Sequence, residues 1–220
     1  MRIIHPISFR VYGPFPNLTV MDYQRIPGVL ASMSVGKLLW ARSDGMAILW
    51  TLDERDNVVA IERHGPFATW TPRSYQRISD GTARLLWSRN DGLASIWTLD
   101  AADHFVSSKE LGPFPNWTAK SYHRFDRFGT AKLLWARNDG LVSLWTLNAS
   151  DDRLRDRQYG PFTNWTANGY ERISDVSSRM VWARNDGLGT IWTLDSNDGF
   201  VSNKDYGPFP NWSAMAYAVW

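Results

Sequence analysis

The stretch Trp87-Ser-Arg-Asn-Asp-Gly-Leu-Ala-Ser-Ile-Trp-Thr-Leu99 decides the fold. Two short runs of large apolar residues flank Asn90-Asp91-Gly92. Asn, Asp and Gly tolerate the positive φ that primed turns need, so the stretch reads as a tight β-hairpin. The signal returns at Asn138-Asp139-Gly140 and Asn185-Asp186-Gly187, and Ser43-Asp44-Gly45 keeps its last two residues. Outward from the hairpin, Trp-Thr-Leu begins at Trp50, Trp97, Trp145 and Trp192. Gly-Pro-Phe begins at Gly13, Gly65, Gly112, Gly160 and Gly207, in steps of 52, 47, 48 and 47 residues. A fixed period of this size marks a repeat array. The long first step reflects extra residues around Pro27 to Gly36, which belong in a loop.

One unit of about 47 residues reads as four strands. In the second unit these are Trp70 to Ile78, Ala83 to Arg89, Leu93 to Leu99 and Phe105 to Leu111. Helical apolar spacing is absent, and Thr, Val, Ile, Trp and Tyr crowd the strands. The second and third strands carry large apolar groups on both faces, which places them centrally. The fourth, with Ser107, Ser108, Lys109 and Glu110, has the polar dressing of an outer edge. Repeated four-stranded antiparallel sheets of this kind are the blades of a β-propeller. The expectation is therefore an all-β, propeller-like array, one domain over residues 1–220, with four full units and a partial fifth. The partial unit follows from the ends: a fourth-type strand at Ile7 to Tyr12 and a first-type strand at Trp212 to Trp220. A clasp of the two termini, a second chain or closure of four units alone would each complete the ring, and five positions around one axis is the expectation. Open sheet edges at the partial unit would also let chains associate.

Composition narrows the function. Among 220 residues, 24 Lys and Arg face 22 Asp and Glu, a net charge of +2 without a basic arm or acidic tail, so no nucleic-acid partner is expected. The absence of Cys excludes disulfides, thiolate metal sites and cysteine nucleophiles. No stretch approaches the roughly 18 apolar residues of a membrane helix, and no export signal is evident, so a soluble protein without membrane insertion is expected. The four His, at positions 5, 64, 104 and 123, fall at unrelated places in the units and form no metal-ligand pattern. The nucleophile elbow, phosphate loop, zinc-protease and dinucleotide fingerprints are missing. Near-identical units favour several weak equivalent sites over one asymmetric catalytic centre, so binding without cofactor, metal or turnover is expected.

The candidate sites lie at the unit junctions and hairpin tips. Trp70, Trp117, Trp165 and Trp212 follow Thr69, Asn116, Asn164 and Asn211. An indole beside an amide suits the apolar face and the hydroxyls of a sugar, while the same residues suit interblade packing and a closing Asx-turn. In the first copy Leu18 replaces the Trp. The tips carry Arg89, Asn90 and Asp91, then Arg137, Asn138 and Asp139, then Arg184, Asn185 and Asp186, with Arg42 and Asp44 in the first unit. Such an Arg can lie on an indole, donate to a ligand or donate to a neighbouring blade. Carboxylates three apart (Asp53 and Asp56, Asp100 and Asp103, Asp195 and Asp198) suit turns better than calcium, which needs more oxygens.

These units, each with a glycine-containing turn, a Trp opening a strand and a Gly-centred hairpin, resemble five-bladed tachylectin-type propeller lectins over Ser8 to Trp220. The resemblance implies N-acetylated or other simple sugars held at several equivalent sites, without catalysis. Glycans are thus the expected partners, and a protein-interaction or structural propeller is the alternative.

Overall fold

The structure, a computed structural model, describes residues 12–26, 35–125, 129–210 and 214. Most of the expected insertion, the strand at Ile7 to Tyr12 apart from Tyr12, and the final strand apart from Ala214 lie outside the described residues, as do the candidate residues Asn211 and Trp212. Sixteen strands form four antiparallel sheets, each a simple meander, arranged as a four-bladed β-propeller. Blade one is β1 (Leu18–Ile26), β2 (Val35–Arg42), β3 (Ala47–Leu52) and β4 (Val58–His64). Blade two is β5 (Trp70–Arg77), β6 (Ala83–Arg89), β7 (Ala94–Leu99) and β8 (Phe105–Leu111). Blade three is β9 (Trp117–Phe125), β10 (Thr130–Arg137), β11 (Val142–Leu147) and β12 (Arg153–Tyr159). Blade four is β13 (Trp165–Ser174), β14 (Ser177–Arg184), β15 (Gly189–Asp195) and β16 (Phe200–Tyr206). Among the described residues there is no helix, so none is long and apolar enough to cross a membrane. Val35 and Gly36, which the sequence assigns to the insertion, instead open β2.

The two central strands of blades one to three are largely buried on both faces, β15 of blade four is only half-buried on one of them, and the outer strands β4, β8, β12 and β16 are largely exposed. Three of the four buried clusters among the described residues are shared between neighbours, and the fourth lies within blade one. Leu39, Ala47 and Leu49 of blade one, for example, pack with Tyr75, Leu85, Trp87 and Leu99 of blade two. Trp87, Trp135 and Trp182 are each only 1% exposed. Truncating any one of them to Ala removes contacts worth about 3 to 5 kcal/mol.

The hairpin turns differ from the expected geometry. Gly92 has φ +85°, yet Asn90 and Asp91 do not enter the positive region, and the Gly92 N–H bonds the Arg89 carbonyl at 3.1 Å. This is a three-residue loop, a type I turn closed by a left-handed glycine, rather than a primed turn. The reason lies in Asp91, whose carboxylate accepts the Leu93 N–H at 3.1 Å and both prongs of Arg89, which holds the turn in the right-handed region.

Successive inner strands meet at the axis, β1 with β5, β5 with β9 and β9 with β13, and among the described residues β13 and β1 do not pack in this way. The seams are stitched by side chains reaching the next blade's backbone. Asp22 accepts the Tyr75 N–H at 2.9 Å, Ser74 that of Tyr122 at 3.0 Å, and Ser121 that of Tyr170 at 3.1 Å. Outside these, Asp103, Asp151 and Asp198 take φ between 60° and 68° at hairpin ends and turn their carboxylates into the seams. Asp103 meets Lys37 of blade one and Tyr75 at 2.6 Å each, and also Arg77. Asp198 pairs with Lys132 in the same manner, and Asp151 with Arg124 at 2.5 Å.

Candidate ligand-binding site

The expected site residues converge in part. Antiparallel pairing sets Trp70 directly opposite Arg89, Trp117 opposite Arg137 and Trp165 opposite Arg184. Each guanidinium therefore lies over its indole, at 5.1, 5.3 and 5.3 Å. Each is also held bidentately by the aspartate two residues on: Asp91, Asp139 and Asp186. Arg42 grips Asp44 in the same way, with Leu18 where the other blades have Trp. The Arg–Asp–Trp groups are thus brought together, but the arginines already spend their prongs on carboxylates. The indoles pack their remaining surface on the blade cores.

Asn116 and Asn164 are exposed and left-handed, each with φ 68°, the turn role open to Asn, and Thr69 takes φ 73°. Their backbone carbonyls face the tips: Asn138 donates its N–H to Asn116 at 3.3 Å and Asn185 to Asn164 at 3.2 Å. The side chains of Asn90, Asn138 and Asn185 stay on the exposed tips. The paired aspartates serve turns, since Asp100 accepts the N–H groups of Ala102 and His104, at 2.9 and 2.8 Å.

The tip aspartates are acidified. Bonding to Arg89 first, and then to the Leu93 N–H, lowers Asp91 to about 2, and Asp139 and Asp186 follow for the same reasons. A carboxyl depressed in the folded state contributes stability above its ordinary range, and that contribution is lost as pH falls toward the folded value. Carboxyl NMR should find these three titrating near pH 2, and Arg89→Gln should return Asp91 alone toward about 4. Titration of Asp91 in the ordinary range in the unsubstituted protein would remove the bidentate pair.

A second arrangement was not legible in the residue types. In each blade one Phe and two Trp form an edge-on triad: Phe15 with Trp40 and Trp50, Phe67 with Trp87 and Trp97, Phe114 with Trp135 and Trp145, Phe162 with Trp182 and Trp192. Ring centroids within the third triad lie 5.3 to 5.4 Å apart. That triad, with Trp117, walls a cavity of about 180 Å³ whose polar lining is Ser143, Arg153, Asp156 and Gln158. Arg153 lies over Trp145 at 4.8 Å, in the place where Phe105 and Phe200 stand edge-on to Trp97 and Trp192. The buried indole N–H groups of Trp40, Trp87, Trp135 and Trp182 have no hydrogen-bond partner among the described residues. One orphan donor is an accident of packing, whereas four at equivalent positions are a property of the repeat, each costing on the order of 1 to 3 kcal/mol unless met. The Gly-Pro-Phe repeat was the available signal, because it delivers the Phe of every triad.

No family model and no curated protein matches the chain. Several solved structures share its fold. Two are of BBS1N in complex with ARL6DN, soaked with lead or with mercury, at 8% and 11% identity and TM-scores of 0.50 and 0.51. They cover 90% and 94% of this chain, which spans only 56% and 59% of theirs, a little over half their length. A protein of unknown function from Bacteroides caccae matches at 8% identity and a TM-score of 0.50, over 89% of this chain and 84% of that one. At these identities the likeness concerns the fold.

Proposed function

We propose that the chain is a multivalent carbohydrate-binding propeller that binds without turnover, each blade offering an aromatic cavity of the kind seen in blade three. The carrying observation is that cavity: three indoles and a phenyl ring form its walls, and Ser143, Arg153, Asp156 and Gln158 supply its polar lining. Pyranoses present an apolar face to rings and acceptor hydroxyls to N–H groups, which is the chemistry on offer. A millimolar site supplies only about 4 kcal/mol, and linked sites raise apparent affinity on a dense glycan by roughly 10² to 10⁴.

Kinship with five-position lectin propellers belongs to the same reading. Tyr12 stands edge-on to Trp50 and bonds the Asp56 carbonyl, as Tyr159 does with Trp192 and Asp198. Ala214 lies against Gly189 and accepts a bond from Asn168 at 2.7 Å, the place an inner strand of a further blade would take.

Asp156 and Gln158 are exposed, so their joint replacement by Ala should leave the melting temperature unchanged while weakening binding of the best neutral sugar on a glycan array at least about tenfold, the equivalent of about 1.4 kcal/mol. Unchanged binding would place the site elsewhere, and an array without any signal would end the lectin reading. A second reading, a protein-docking propeller, rests on the ring of exposed aliphatics Val59, Val106, Leu154 and Val201 on the outer strands. A retained protein partner with a silent array would favour it.

A further inference from the structure

The inner strands enclose a polar cavity of about 130 Å³ on the axis, lined from all four blades. Every inner strand carries a β-bulge at the same point, between Val20 and Asp22, Pro72 and Ser74, Ala119 and Ser121, and Ala167 and Gly169. The unpaired residues are therefore Met21, Arg73, Lys120 and Asn168, all of which line the cavity. Bulges free a residue from the ladder and re-aim its side chain. Here two of the four re-aimed residues, in adjacent blades, are cations.

Neither cation is neutralised by a described residue. Arg73 donates Nε to Ser88 at 2.9 Å, and no carboxylate among the described residues meets its guanidinium. Lys120 makes no ion pair or hydrogen bond among the described residues, and burial together with the charge of Arg73 lowers it to about 8. The molecule treats its other inward cations differently: Lys37, Arg77, Arg124 and Lys132 each sit on a seam aspartate. Partly buried like charges side by side and unpaired are costly, and a bound anion offsets that cost. The acidic groups of the cavity are engaged elsewhere. Asp22 accepts the N–H groups of Tyr23 and Tyr75 and is raised by burial to about 7, and Glu171 pairs with His123 at 3.1 Å; the cavity's other arginine, Arg25, pairs with Asp56 at 3.2 Å.

We infer that the axial cavity is a binding site for one small tetrahedral oxyanion, held between Arg73 and Lys120. The volume, about 130 Å³, admits a phosphate or sulfate. This site is separate from the aromatic cavities and stands whether or not sugars bind there.

The experiment is calorimetric titration of the full chain with inorganic phosphate and with sulfate at constant ionic strength, using acetate as the planar control. One equivalent per chain should bind with a Kd below about 1 mM, and acetate should bind at least about tenfold more weakly. Lys120→Met should weaken phosphate at least about tenfold while the phosphate-free melting temperature holds or rises, because an uncompensated charge has gone. Should that variant fail to fold, Arg73→Leu is read in the same way. No saturable heat up to about 50 mM phosphate, several equivalents per chain, or unchanged affinity in the folded variant would each overturn the assignment.

Discussion

Asp103→Ala is expected to cost about 3 to 5 kcal/mol, seen as a lower urea midpoint and melting temperature, because it strands two inward cations at once. Asp103 is 3% exposed, and its carboxylate is the common partner of Lys37 from blade one and of Arg77 and the Tyr75 hydroxyl from blade two. Removing it breaks no backbone bond, and Ala at a φ of 68° adds only about 1 kcal/mol, so a conformational account would forecast a small loss. The electrostatic account forecasts a large one, partly recovered by adding Lys37→Met, which removes one of the stranded charges. A loss under about 1 kcal/mol would mean that the seam is held by its apolar contacts alone, the value usual for exposed pairs. Asp198→Ala should repeat the result at the third seam, where Lys132 is the stranded cation.

Gly92→Ala is expected to cost about 2 to 6 kcal/mol, and Gly81→Ala only about 1 to 2, although both glycines have φ +85°. The contrast separates two reasons for glycine. Conformation alone applies to Gly81, where an added Cβ would meet nothing within 4 Å. At Gly92 the Cβ would fall 1.8 Å from the Phe114 carbonyl oxygen, because the Gly-Pro-Phe loop folds back on the hairpin and the Phe114 N–H bonds the Gly92 carbonyl at 3.0 Å. Displacing that loop would pull Phe114 from Trp135 and Trp145, so Gly92→Ala should also weaken any ligand held in the blade-three cavity. Equal losses at the two positions, measured by denaturant unfolding, would show that the loop yields without cost.

The blade was legible because its signals are local. Period, alternation and turn residues located Ala83–Arg89 and Phe105–Leu111 to the residue, the strand from Trp70 within one residue of its end and that from Ala94 within one residue of its start. The sequence left the partner of the tip Arg open, and the strand register decided it by setting Trp117 opposite Arg137. The turn type was misjudged because Asn, Asp and Gly serve both kinds of hairpin, and the choice here depends on the bidentate grip of Arg89 on Asp91. The paired aspartates show the same limit. Asp100 and Asp103 look alike on the chain, yet the first caps its own turn and the second neutralises another blade.

Taken alone, then, the order of residues determined the repeat, the four strands of each unit and their order from axis to rim, since all of these depend on neighbours within about 47 positions. Tertiary structure alone decided which groups share a space: within blade three the aromatic cavity behind Phe114, and between blades the aspartates in the seams and the two cations bulged toward the axis. The physical reason is range. Backbone preference and strand pairing act through the nearest chain neighbours, whereas desolvation and charge pairing act through space between residues as far apart as Lys37 and Asp103, whose proximity exists only once the blades have packed.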